Sequence, residues 1–187
     1  MAFRRTQYAP VGEYEPFHIS AAQASAAPIG AWVNTTSSTA IAAAGSASVA
    51  VADASQLQHM TVGMSLVIYG GTGTAEVVPV TAINPGAGTF TATFVNTHSG
   101  TYNITSVRGV SLGRVIINAA GSAMTLTLYN GNPAITSSAP RYGPIAVITP
   151  VAGATLMFDC VCDYGLYYEY AGTSAGDVTV TYITQPV

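Results

Sequence analysis

Lysine is missing from this 187-residue chain, and charge of either sign is scarce: five arginines and eight carboxylates make up 7% of the residues. An ordinary soluble domain carries about 25%. So little charge suits a free monomer badly, because net charge is what keeps copies apart in solution. Two readings are open, a compact Ser/Thr-rich extracellular protein or a chain whose surface is covered by neighbouring subunits. Lysine is depleted from interface cores where arginine is tolerated, which favours the second.

Other absences narrow the function. The net charge is −3, and no basic run extends beyond Arg4 and Arg5, so a charged nucleic-acid surface is not expected. No apolar run approaches the roughly 20 residues of a membrane helix. The opening segment MAFRRTQYAPVGEYEPF has no hydrophobic stretch after its arginines and does not read as a secretory signal. Cysteine occurs only at Cys160 and Cys162. Residues two apart on a strand share a face in a geometry that disfavours a disulfide, so the pair reads as small core hydrophobes made in a reducing cytoplasm. His18, His59 and His98 are scattered without ligand spacing, and neither a metal nor a cofactor is expected.

Catalytic constellations are equally thin. Asp159, Asp163 and Glu169 are close in sequence, but the first two read as a strand residue and a turn residue rather than as a glycosidase pair. No serine sits in a nucleophile elbow. The run Gly70-Gly71-Thr72-Gly73 lacks the Lys-Ser/Thr ending of a phosphate loop and reads as a hairpin turn. The chain is not expected to be an enzyme.

What is present is alternation. Strands are predicted over 48–53, 64–69, 75–83, 89–94 and 102–107, and again over 114–118, 124–129, 145–149, 155–162, 166–170 and 177–183. Explicit turns punctuate them, such as Asn84-Pro85-Gly86 and Asn130-Gly131. Pro79 places its strand on an edge or at a bulge. The class is all-β: two small β-barrel or β-sandwich domains, residues 45–107 and 108–187, preceded by an extended N-terminal arm and linker over 1–44. Within the arm, residues 19–27 are compatible with a short helix. Each β-region is too small to be more than marginally stable, and with disulfides and metals absent, oligomerisation is the expected remedy.

Candidate partner contacts follow from this layout. On the arm they are Arg4, Arg5, Tyr8, Tyr14, Phe17 and Trp32, the last either an anchor in a neighbour's pocket or a cap on the first β-domain's core. In the tyrosine cluster, alternation turns Leu166, Tyr168 and Tyr170 to one face and Tyr167 and Glu169 to the other, which leaves Tyr167 as the candidate exposed aromatic.

The runs SAMTLTLY (122–129), VAGATLMFD (151–159) and GTSAGDVTVTY (172–182) resemble small β-sandwich modules of tailed-bacteriophage virion proteins. SVAVADASQL, VGMSLVIYG and GTFTATFVNTHSG in the middle region are similar to phage structural modules as well. The resemblance implies a virion role without catalysis. The expectation is a capsid decoration (cement) or minor capsid protein, made in the host cytoplasm and located in the virion. Its partners would be the major capsid protein or other virion subunits, and it would be a homo-oligomer, with a trimer suggested by analogy to threefold capsid sites. The alternatives are a tail or head-fibre protein with a host-glycan contact surface, and a cell-surface carbohydrate-binding or adhesion module.

Overall fold

The computed structural model describes residues 14–121, 123–135, 143–172 and 176–184. Over these described residues the chain is nearly all β, with fourteen strands in three antiparallel sheets and two short 3-10 turns. Strands β1 (Glu15–Ile19) and β2 (Gln23–Ile29) come first. Then β3 (Asn34–Ser37), β4 (Gly45–Ala50), β5 (Ser65–Tyr69), β6 (Glu76–Asn84), β7 (Thr89–Phe94) and β8 (Tyr102–Ser106) form one six-stranded sheet, in the order β3-β8-β5-β6-β7-β4. The remaining strands are β9 (Val110–Ala119), β10 (Thr125–Asn130), β11 (Pro144–Ile148), β12 (Thr155–Cys162), β13 (Leu166–Ala171) and β14 (Asp177–Thr184). They join β1 and β2 in two four-stranded sheets, β1-β14-β9-β12 and β11-β10-β13-β2.

The two four-stranded sheets enclose one core. Ile19, Ile29, Leu112, Val115, Leu126, Leu128, Leu166, Tyr170, Val178 and Val180 are among its buried members, drawn from both sheets. In β10 the period of two gives the burial directly: Leu126 and Leu128 are buried, while Thr125 and Thr127 are half-buried on the other face. The strand order has a simple origin. β1 pairs with β14, β2 with β13, β9 with β12 and β10 with β11. Those four pairs form one long antiparallel ribbon, and rolling it up creates the remaining contacts, β14 with β9 and β13 with β10. This is the winding of an eight-stranded jelly roll. The six-stranded sheet is inserted between its second and third strands.

The expected arm is therefore replaced, over the described residues, by strands. Glu15–Ile19 pairs with β14, Gln23–Ile29 with β13, and Asn34–Ser37 with β8. The helix considered for residues 19–27 is not formed. Ala and Ser positions cost nothing to extend, and the unpaired edge of β13 supplies hydrogen bonds that an isolated helix of small residues would have to make alone.

The six-stranded sheet curls around its own core of Val33, Leu57, Leu66, Ile68, Val78, Val80, Phe90, Phe94, Tyr102 and Ile104. Its edges meet at one end, where Ala52 N donates to Thr36 O at 2.8 Å. Pro79 lies in β6, between β5 and β7, and not on an edge; the register slips beside it, between Val80 and Ala82, which is the bulge that accommodates the imide.

Candidate functional site

Two linkers tie the inserted sheet to the sandwich, residues 30–33 and 107–109, and they run side by side. The Ser106 hydroxyl accepts from the backbone N–H of Trp32 at 2.9 Å and of Val33 at 3.1 Å. Gly30 has a φ of 73° and packs against the Tyr182 ring, where a Cβ would come within 2.6 Å. A side chain at position 30 would meet both obstacles. These constraints aim Trp32 outward at 44% exposure, with the Arg108 guanidinium carbon 3.8 Å from its ring centroid. Burial lowers the Arg108 pKa from its ordinary value, and the Glu15 carboxylate opposes the shift. Glu15 in turn accepts from the Tyr182 hydroxyl at 3.0 Å, and burial pushes that phenol up to about 12.

Beside this stack opens a groove of about 480 Å³ walled by Thr61, Val62, Met64, Ser65 and Val107. Val62 is 67% exposed. An exposed tryptophan under an arginine, next to apolar side chains, is the composition of an interface hot spot.

A second surface lies on the outer face of the sheet β1-β14-β9-β12. The Tyr14 ring covers Gly113, so that a Cβ there would overlap it. Tyr14, Gly113, Arg114, Met157, Phe158 and Asp159 line a shallow groove of about 340 Å³. Met157 is 73% exposed and Val161 51%.

Tyr167 corrects the expectation of an exposed aromatic. It is 1% exposed, and its hydroxyl lies 2.7 Å from Thr105 Oγ1 of the inserted sheet. Its face of β13 is indeed opposite to Leu166, Tyr168 and Tyr170, but that face is covered too. Tyr167 packs edge-on against Tyr69 and joins a small cluster with Ala26 and Val67. The tyrosine therefore works as a bolt between the sandwich and the inserted sheet. Burial raises the Tyr69 phenol, with Tyr167 adding to the shift.

Of the other candidates, Tyr14 is exposed and lines the second groove, while Phe17 is half-buried and packs edge-on against Tyr168. Arg4, Arg5 and Tyr8 lie outside the described residues. The described arm candidates are not brought to one place: Tyr14 sits on the sandwich face and Trp32 at the linkers. Sequence reasoning missed Arg108, Val62, Met157 and Val161. A signal for the last two exists, since TLMFDCVC has apolar residues on both alternating faces, as strands covered on both sides do.

Among the acidic residues, Asp159 is exposed on β12, whereas Glu169 is on the other sheet and accepts from the Tyr129 hydroxyl at 2.6 Å. Among the described residues, a buried carboxylate and imidazole meet in the inserted sheet. There Glu76 accepts from Val95 N at 2.7 Å, Asn96 N at 2.9 Å and His98 Nε2 at 2.8 Å. These bonds hold the turn after β7, and a two-way backbone bridge from His98 to Ile41 holds the loop after β3. The geometry is that of a structural clamp.

Comparison of the chain with family models, curated proteins and solved structures finds no match.

Proposed function

We propose that this chain is a virion structural subunit of a tailed bacteriophage, a capsid decoration (cement) or minor capsid protein that acts without catalysis. The observation that carries the reading is the jelly-roll winding of the sandwich, a framework shared by viral capsid and lectin domains. The reading is supported by the near absence of charge, by the resemblance of the third region to phage modules, and by two exposed apolar surfaces around Trp32 and Met157. In this reading the sandwich and the inserted sheet are two β-domains, and the subunits form a homo-oligomer, a trimer where a threefold site is occupied. Synthesis in the host cytoplasm fits the free thiols of Cys160 and Cys162.

The test is stoichiometric binding of the purified protein to assembled capsids. Trp32→Ala is expected to weaken it by roughly 30-fold, the effect of a hot spot of about 2 kcal/mol, with an unchanged circular dichroism spectrum. Capsids that take up none of the wild-type protein would refute the reading.

A tail or head-fibre role with a host-glycan surface is the second reading, favoured by the open tryptophan groove, since aromatic faces stack on sugars. In that case Trp32→Ala particles assemble normally and lose host adsorption. A glycan array positive for the free protein, with no capsid or tail association, would instead favour a cell-surface adhesion module.

A further inference from the structure

β2 parts from β13 in its middle. Gln23 pairs with Tyr170 and Ala27 with Tyr168, so Ala24, Ser25 and Ala26 all stand opposite the single residue Glu169. A bulge of this kind bends its strand and re-aims the side chain beside it. The Gln23 amide supports it by donating to the Ser25 carbonyl at 2.8 Å. The gap opens into a pocket of about 390 Å³ between the sandwich and the inserted sheet, to which the inserted sheet contributes Tyr69, Gly70 and Asn103 and the sandwich contributes Asn132. Gly70 has a φ of 78°, and a Cβ there would come within 3.0 Å of the Asn103 amide nitrogen, so only glycine leaves that wall clear. The pocket meets β5 at Tyr69, whereas the Trp32 groove meets it at Ser65, roughly 13 Å back along the strand.

Two polar groups of this pocket have unmet hydrogen-bonding capacity. Asn132 is fully buried. Its Oδ1 accepts from Ala134 N at 2.9 Å, which fixes the orientation of the amide and leaves Nδ2 without a partner among the described residues. A buried donor in that state is destabilising, and a native structure keeps one only for a reason. Glu169 Oε2 accepts from the Tyr129 hydroxyl at 2.6 Å, and its Oε1 takes no bond among the described residues.

We propose that this pocket binds a neutral sugar ring. The lining selects the class. The Glu169 carboxylate repels an anion, and among the described residues no Arg, Lys or His lines the pocket to offset that. The open group of Asn132 is an N–H, which cannot ligate a cation. The ligand is therefore uncharged, accepts from Asn132 and donates to Glu169. A hydroxyl does both through one oxygen, and a ring carrying several offers the choice around its whole rim, whereas a peptide unit has one donor and one acceptor at a fixed spacing. Ala24, Ala26 and Pro133 supply apolar contact for the C–H face of the ring. The volume and the position at a seam between two β-units are those of small-ligand sites. The site goes beyond both readings of the function, since it uses neither Trp32 nor a capsid.

The experiment titrates the nitrogen-15-labelled full chain with the methyl glycosides of glucose, galactose, mannose and N-acetylglucosamine, each to about 50 mM, a range that detects dissociation constants of the order of 1 mM. The side-chain NH2 pair of Asn132 and the backbone amide of Gly70 are expected to shift saturably with at least one glycoside, while the Trp32 indole signal stays in place. Ala24→Trp, at an exposed position on the rim, should fill the pocket and abolish the shift with the rest of the spectrum preserved. An Asn132 signal unmoved by every glycoside would overturn the proposal and leave water as the partner of that amide. A response that survives Ala24→Trp would overturn it too, as would one obtained only with N-acetylglycine N-methylamide, a mimic of a peptide. Capsid uptake is measured separately, so either result can fail while the other succeeds.

Discussion

Glu76→Gln is the sharpest test of the clamp at the end of the inserted sheet. Glu76 is 8% exposed and receives three donors, two at Oε1 from Asn96 N and His98 Nε2, and one at Oε2 from Val95 N. Glutamine keeps the shape but offers one oxygen and one NH2. In either orientation at least one buried N–H faces another donor. A charged hydrogen bond is worth about 1.5–3 kcal/mol and an orphaned buried donor costs a similar amount, so the expected loss is about 2 kcal/mol. Glu76→Ala removes all three acceptor contacts and strands the His98 ring, for about 4 kcal/mol. At roughly 2–4 °C per kcal/mol for a chain of this size, the melting temperature should fall by about 4–8 °C for Gln and about 8–16 °C for Ala. Differential scanning calorimetry reads both. A Gln variant that melts with the wild type would refute the argument, because it would mean that the carboxylate's second oxygen and its charge do nothing there.

Further outcomes are expected elsewhere. Tyr167→Phe should cost about 1 kcal/mol by stranding the buried Thr105 hydroxyl, and Tyr167→Ala about 3–5 kcal/mol by opening a cavity; denaturant titration measures both, and proteolysis at the linkers should accelerate only for Ala. Burial pushes the Cys162 thiol up from 9.0 to about 12, so a thiol reagent at neutral pH should label it only after unfolding. The same shift has a defined sign: the native state holds this proton more tightly than the unfolded chain, so the stabilisation is full below pH 9 and is lost as pH rises to about 12. Tyr129 and Tyr182, raised to about 12 mainly by burial, act in the same direction, and tyrosinate absorbance should lag in the folded protein and appear with unfolding.

Most strands from residue 45 onward were legible, several because Thr and apolar residues alternate there: Thr89–Phe94 falls where the pattern puts it, while the strand read over 48–53 forms over Gly45–Ala50. β1, β2 and β3 were not legible. In QASAAPI, Ala and Ser occupy both faces, so burial of Ala26 and Ile29 leaves no contrast to read, and Pro28 points away from strand pairing in general rather than toward an edge. Tyr167 was misjudged for a related reason. Alternation gives the face of a side chain but not what covers that face, and the cover here comes from Val67 and Tyr69, about a hundred residues earlier in the chain. Trp32 was recognisable as unusual, while its Arg108 partner was not, since only the inserted sheet brings positions 32 and 108 together.

The insertion also sets an order of events during synthesis. Every strand of the six-stranded sheet lies between Asn34 and Ser106, so that sheet can finish while the ribosome is still making β9. β1 must wait for the last strand, since Glu15 pairs with Tyr182. Until then β1 and β2 are single strands tethered to a finished neighbour, and their prolines, Pro16 and Pro28, keep them from pairing with another nascent chain. Closing so distant a pair is slow relative to local contacts. The sandwich is thus the half completed last during synthesis, and a truncation that removes β14 would leave β1 without its partner strand.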